Sequence, residues 1–172
     1  MREYISVQHD SGEVAISYEE LVKYHDKNHW GGVALAWKII QLAMEILNDG
    51  KALNRDLVRI RTGLNPPGLL DGFEYLTRVV TRQRLVYDPS LNQGPTSPFG
   101  SFSFVVGYGK KRLGLQLKEG ILPADFASLG RTCQAGLGSD DDKNRWITIK
   151  HSLGDIILEK NPRELLDIVE LP

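Results

Sequence analysis

His25 and His29 stand four residues apart in the stretch Tyr24-His25-Asp26-Lys27-Asn28-His29-Trp30-Gly31-Gly32. On a continuous helix that spacing puts both imidazoles on one face, within reach of one metal ion. Asp26 and Asn28 would add oxygen donors or hydrogen bonds that orient the rings. The zinc-protease pattern needs a glutamate directly after its first histidine, and Asp26 stands there instead. The same residues also suit a helix end, because His and Lys favour the negative C-terminus and Trp30 would pack below it. Both readings stay open on the residues alone.

A second candidate is Thr62-Gly63-Leu64-Asn65-Pro66-Pro67-Gly68, followed by Leu69. Its prolines and glycines predict a loop between a strand and a helix. Free amides at that helix start, near Gly68, would face a cavity and hold an anion or a substrate group. Asp71 and Glu74 fall in the first turns, where carboxylates suit the helix dipole. Asn28, Trp30, Pro67, Gly68 and Asp71 are therefore the expected ligand contacts, and His25 and His29 the expected metal contacts.

Other motifs fail on inspection. Gly109-Lys110-Lys111 lacks the remaining residues of a phosphate loop. Asp140-Asp141-Asp142 lacks the spacing and closing glutamate of a calcium loop and reads as solvated. There is no Gly-x-Ser-x-Gly. Arg78, Arg82, Arg84, Lys110, Lys111 and Arg112 would form basic patches of the kind that exposed surfaces carry routinely. A net charge of -1 gives no global pull toward nucleic acid or anionic lipid. Neither a nucleic acid nor a membrane is expected as partner.

The elements that must position these residues follow from periodicity and turn chemistry. Residues 1–15 show no clear period and predict a short strand or an ordered arm. Ser17-Tyr18-Glu19-Glu20 fits a capping box opening a helix to about Lys27, with Leu21, Val22 and Tyr24 or His25 inward. A second helix runs from about Gly32 to Asn48, apolar except for a wet stripe of Lys38, Gln41, Glu45 and Asn48. Those polar residues and its length argue against a membrane span, and Asn48-Asp49-Gly50 stops it. Leu57–Arg61 and Arg84–Asp88 read as strands, and Leu69–Arg82 as a helix. Ser101–Val106 and Arg112–Lys118 alternate around a Gly-Tyr-Gly-Lys turn, forming the clearest hairpin in the chain.

Further along, Pro123–Leu129 reads as a short helix and Gly130–Asn144 as a polar loop holding Cys133. Arg145–His151 reads as a strand. Asn161-Pro162-Arg163-Glu164 starts a last helix, reaching about Ile168. The expected architecture is one α+β domain over residues 1–172, with a mixed or antiparallel sheet against a long central apolar helix and shorter helices. A chain of 172 residues suits one domain with a real core. The single cysteine excludes an internal disulfide and a cysteine-only zinc site, and Cys133 reads as a small buried hydrophobe. No signal peptide is read at the start, so the expected location is cytoplasmic.

Three stretches together resemble the E-subunit family of formylmethanofuran dehydrogenase. They are His25–Lys38 with its Gly31-Gly32-Val33-Ala34-Leu35-Ala36, then Pro67-Gly68-Leu69-Leu70-Asp71-Gly72-Phe73-Glu74, and then Ile157–Ile168. The resemblance spans roughly residues 18–170. It implies a divalent metal such as zinc, a homodimer and an accessory role, because the redox chemistry of the namesake complex belongs to other subunits. The chain departs from the family pattern where Trp30-Gly31 and Pro67 stand in place of cysteines, and residues 1–172 hold no cysteine pair for the family's zinc ribbon. A metal would then rest on His25, His29 and oxygen donors. The expected function is an accessory metal- or small-ligand-binding protein. The alternatives are an enzyme with a histidine general base in the same cleft, for which an ordinary imidazole pKa is suitable, and a structural or partner-binding role.

Overall fold

The computed structural model describes residues 4–25 and 30–171. Asp26, Asn28 and His29 therefore lie outside the described residues. The order is β1 (Tyr4–His9), β2 (Gly12–Ser17), α1 (Tyr18–His25), α2 (Trp30–Leu47), β3 (Leu53–Asn54), a 3-10 turn (Arg55–Leu57), β4 (Val58–Leu64) and α3 (Pro67–Thr77). Then come β5 (Leu85–Tyr87), β6 (Thr96–Ser97), β7 (Gly100–Tyr108), β8 (Lys111–Leu117), α4 (Phe126–Gln134), α5 (Asp140–Glu159), α6 (Pro162–Leu165) and β9 (Leu166–Val169). The architecture is α+β, as expected.

A large mixed sheet runs β5-β4-β7-β8-β9, with β6 on β7, and β4 and β5 are parallel. A small sheet, β2-β1-β3, closes the other side of the core. The expected hairpin is β7–β8. Phe104 and Val106 face Leu115 and Leu113 across it, all of them buried. The initial stretch is a hairpin rather than an arm, and its Ile5, Val7 and Ile16 enter the core.

The central helix α2 has 18 residues, of which 72% are buried. It is long and apolar enough to cross a bilayer by length and composition alone, contrary to the sequence expectation. What surrounds it is protein: α3, α5 and β8. The predicted wet stripe is likewise only half wet. Lys38 is 2% exposed and Gln41 8%, because the C-terminal end of α5 covers them. Glu45 reaches the surface and accepts from Arg163 at 2.7 Å.

Local stop and start signals behave as their chemistry dictates. Ser17 Oγ accepts from the Glu20 amide, and Glu20 accepts from the Ser17 amide at 2.7 Å. Gly50, at φ 75°, donates back to the Met44 carbonyl and ends α2. The capping box at Asn161 also forms, with Glu164 accepting from the Asn161 amide.

Several expected elements are corrected. Residues 145–151 are not a strand but the middle of α5, whose start is fixed by the reciprocal Ser139–Asp142 capping box. The acidic run 140–142 is thus the first turn of a helix, where its charge suits the dipole. Cys133 lies in α4 rather than in a loop, and it is only partly buried. Helix α3 stops at Thr77, because Arg78 takes a left-handed φ of 58° and Glu74 is drawn out of its dipole role to accept from the amides of Val80 and Thr81. The predicted loop 62–68 shrinks to Asn65-Pro66. Strand β4 continues through a register shift at Gly63, where a Cβ would strike the Leu91 carbonyl oxygen at 2.2 Å. The last helix is a single turn, and residues 166–169 pair with β8 instead.

The outer face of the large sheet is polar, and one of its ties reports on acid stability. Asp88 accepts from the Ser90 hydroxyl and amide and from Arg61 Nε at 2.9 Å. Those bonds, the Ser90 hydroxyl first and Arg61 next, lower its pKa from 3.8 to about 2. A depressed carboxylate stabilises the fold above its unfolded pKa and loses that contribution as pH falls through the folded value. The melting-temperature gap between the parent and Asp88→Ala is therefore expected to be open at pH 7 and to close as pH drops from about 4 to about 2. A gap of constant size down to pH 2 would contradict the assignment.

Candidate functional site

The two candidate stretches meet. Helix α2 opens at Trp30-Gly31-Gly32 and α3 opens at Pro67-Gly68, and the two starts touch. A Cβ placed on Gly32 would lie 2.7 Å from the Leu69 amide nitrogen and 3.1 Å from the Gly68 carbonyl carbon. One turn on, a Cβ on Gly72 would lie 2.5 Å from Ala36 Cβ. The glycines let α2 and α3 cross at backbone contact. Across the other side of α2, a Cβ on Gly154 of α5 would meet Trp30 at 3.0 Å.

These crossings leave a narrow cleft of about 70 Å³, bordered by Gly31, Gly32, Pro66 and Gly68. Its walls are apolar, with Phe99, Phe102, Phe126, Trp146, Leu153 and Ile157 among them. The ring of Trp146 packs on Phe126 at 4.8 Å and is 8% exposed. Among the described residues that line the cleft, the one charged side chain is Lys150, which is half-buried and lies over the Trp146 ring at 5.8 Å. Burial pulls its pKa below the ordinary lysine value, and the nearby Cys133 opposes that shift.

Among the described residues, neither helix start carries an acid of its own, and Pro66, which precedes α3, offers no side chain to cap it. The partial positive charge of both N-termini is therefore directed at the cleft rim.

His25 ends α1, is 2% exposed, and its Nδ1 lies 2.8 Å from Asp71 Oδ2 on α3. The carboxylate accepts, so Nδ1 carries the proton and any further contact of the ring uses Nε2. This is how a ring that binds a metal is commonly held. His25 does not, however, line the apolar cleft. Among the described residues no three of His, Cys, Asp and Glu gather closely enough to hold a metal ion. One imidazole and one carboxylate are too few donors on their own.

The remaining expected residues divide. Gly68 lines the cleft, but Pro67 is exposed and its neighbour Pro66 does the lining. Trp30 stacks on His151, with ring centroids 5.0 Å apart. Asp71 serves His25 rather than the cleft. Trp146, Lys150, Leu153 and Ile157 escape the sequence reading because the segment around Trp146 has the look of a strand. A signal is present all the same: the Ser139 to Asp142 box, followed by apolar residues at 146, 149, 153 and 157, has helical spacing. No protein-family model matches the chain, and no curated protein matches it.

Proposed function

We propose that this protein is an accessory, non-redox binding protein that takes the short apolar tail of a small carboxylate into the cleft between α2, α3 and α5. The observation that carries this reading is the coincidence of two acid-free helix N-termini and one lysine at the rim of an otherwise apolar hollow. Apolar walls with a few convergent polar groups are the usual composition of a small-molecule site. A water-sized group needs roughly 10–15 Å³ of such space, so the cleft of about 70 Å³ takes about five carbon groups, the tail length of hexanoate. The carboxylate would stay at the mouth, against Lys150 and the helix-start amides.

Titration calorimetry of the full, untagged chain tests this with hexanoate and, as the cationic match, hexylamine. Hexanoate is expected to bind saturably and hexylamine not at all. Lys150→Met is expected to weaken hexanoate about tenfold, the value of one charge-assisted hydrogen bond. Leu122→Trp, at the half-buried cleft wall, is expected to abolish binding with the fold intact. No hexanoate binding, or full binding in Leu122→Trp, would remove the proposal.

A second reading rests on the bond between buried His25 and half-exposed Asp71. That pair supports a divalent metal such as zinc held by His25 together with His29, in keeping with the resemblance to the formylmethanofuran dehydrogenase family. Elemental analysis of the same preparation would give about one zinc per chain for the parent and none for His25→Ala. The homodimer that the resemblance implies has support from the outer edge of β9, which pairs with no strand among the described residues and where Ile168 is 53% exposed. A monomeric mass by light scattering would end it.

A further inference from the structure

We infer that the outer face of the large sheet carries a second, separate site, for a small multiply charged phosphate such as a diphosphate group. It lies on the opposite side of the sheet from the apolar cleft and does not depend on that reading.

Its basis is a row of arginines set by strand register. Arg59 of β4 pairs with Gly107 of β7, and Gly107 pairs with Arg112 of β8. Arg84 stands at the same level beyond β4, its carbonyl accepting from the Ile60 amide at 2.9 Å. Arg61 heads the next row, paired with Val105. Because residue 107 has no side chain, that of Arg112 lies across it, its Cδ and Nη1 3.3 Å from where a Cβ would stand, on the strand between Arg112 and Arg59. The result is a hollow of about 260 Å³ lined by Arg59, Arg61, Arg84 and Arg112, with Gly107 and Val105 among its remaining lining.

The charge in this hollow is not balanced from within. Asp88 takes Arg61, and Asp56 takes Arg82 and Arg84. Arg59 and Arg112 have no carboxylate partner among the described residues, and Arg112 bonds only the Gly109 and Lys111 carbonyls. Arg84 Nε is enclosed without a hydrogen-bond partner among the described residues. Like charges placed across a sheet repel each other unless an anion lies between them. Guanidinium forks fit phosphate oxygens in pairs, which favours a phosphate over a single carboxylate. The same repulsion disfavours a two-fold contact between copies through this face. The hollow also has no exposed aromatic ring among its lining residues on which a nucleobase could stack.

Calorimetric titration of the full chain with inorganic pyrophosphate tests the site. One saturable event is expected, weakening as salt is raised. Arg59→Ala with Arg112→Ala should weaken it at least tenfold with an unchanged circular-dichroism spectrum. Arg59→Gln alone, at an exposed residue with no ion pair to lose, should weaken it about threefold and keeps the test valid if the double variant misfolds. Arg131→Ala with Lys51→Ala removes the same charge elsewhere on the surface and should leave binding unchanged. The proposal is overturned if pyrophosphate does not bind, if the control variant loses binding equally, or if duplex DNA or phosphatidic-acid vesicles bind while pyrophosphate does not.

Discussion

Gly32→Val is expected to lower the unfolding free energy by about 2 kcal/mol and to abolish hexanoate binding. A Cβ at this position falls 2.7 Å from the Leu69 amide nitrogen, a backbone atom that no rotamer change can move. The two γ carbons of valine add further crowding, so α2 and α3 must part. Overpacking of this kind costs about 1–3 kcal/mol. Replacing a helical glycine works in the other direction, by roughly 0.5–1 kcal/mol. The steric cost wins because the obstruction is main chain and lies on the axis of the crossing. Gly32→Ala should cost less, about 1 kcal/mol, since it brings one carbon rather than three. Urea unfolding would show the midpoint falling in that order with the slope unchanged. If Gly32→Val is as stable as the parent, the two helix starts do not meet there and the cleft has a different rim.

That contact also shows what the sequence could and could not reveal. Gly31-Gly32 and Pro67-Gly68 are legible as chain punctuation, and both read as borders of one site. Their touching depends on the crossing of two helices, which no local pattern encodes. The His25–Asp71 bond spans 46 residues for the same reason. Each partner stands out by type, but the pairing is tertiary. The β7–β8 hairpin and the capping boxes at Ser17 and Asn161 are legible because their geometry is closed within a few residues. Helix α5 is hidden because Trp146-Ile147-Thr148-Ile149 has the composition of a strand. Its tertiary surroundings decide otherwise, burying Trp146, Leu153 and Ile157 along one helical face. Similarly, Leu166–Val169 follows a sound helix start, yet β8 offers it an unpaired edge, and pairing there satisfies the backbone groups that β8 would otherwise leave open.

Lys38→Ala is expected to destabilise the protein by about 2–3 kcal/mol, although periodicity alone marks this residue as surface. Its ammonium donates to the Leu158 carbonyl at 2.9 Å and to the Lys160 carbonyl at 2.8 Å. These carbonyls belong to the end of α5, so a side chain from α2 satisfies groups that the helix itself leaves open. A cation there also faces the negative end of the α5 dipole. Two charged hydrogen bonds would together be worth roughly 3–6 kcal/mol. The net is smaller because burial works against the ammonium: it lowers the Lys38 pKa, with Glu164 opposing the shift. Lys38→Met separates the contributions, since it keeps the stem packed between α2 and α5 and removes only the charge. It should recover about 1 kcal/mol of the loss. Hydrogen exchange gives the structural readout: amides near the end of α5 should exchange faster in both variants, while those of β7 and β8 change only as far as global stability does. Uniform acceleration across the chain, or a loss below about 0.5 kcal/mol, would mean that α5 is held by its apolar face and not by this cap.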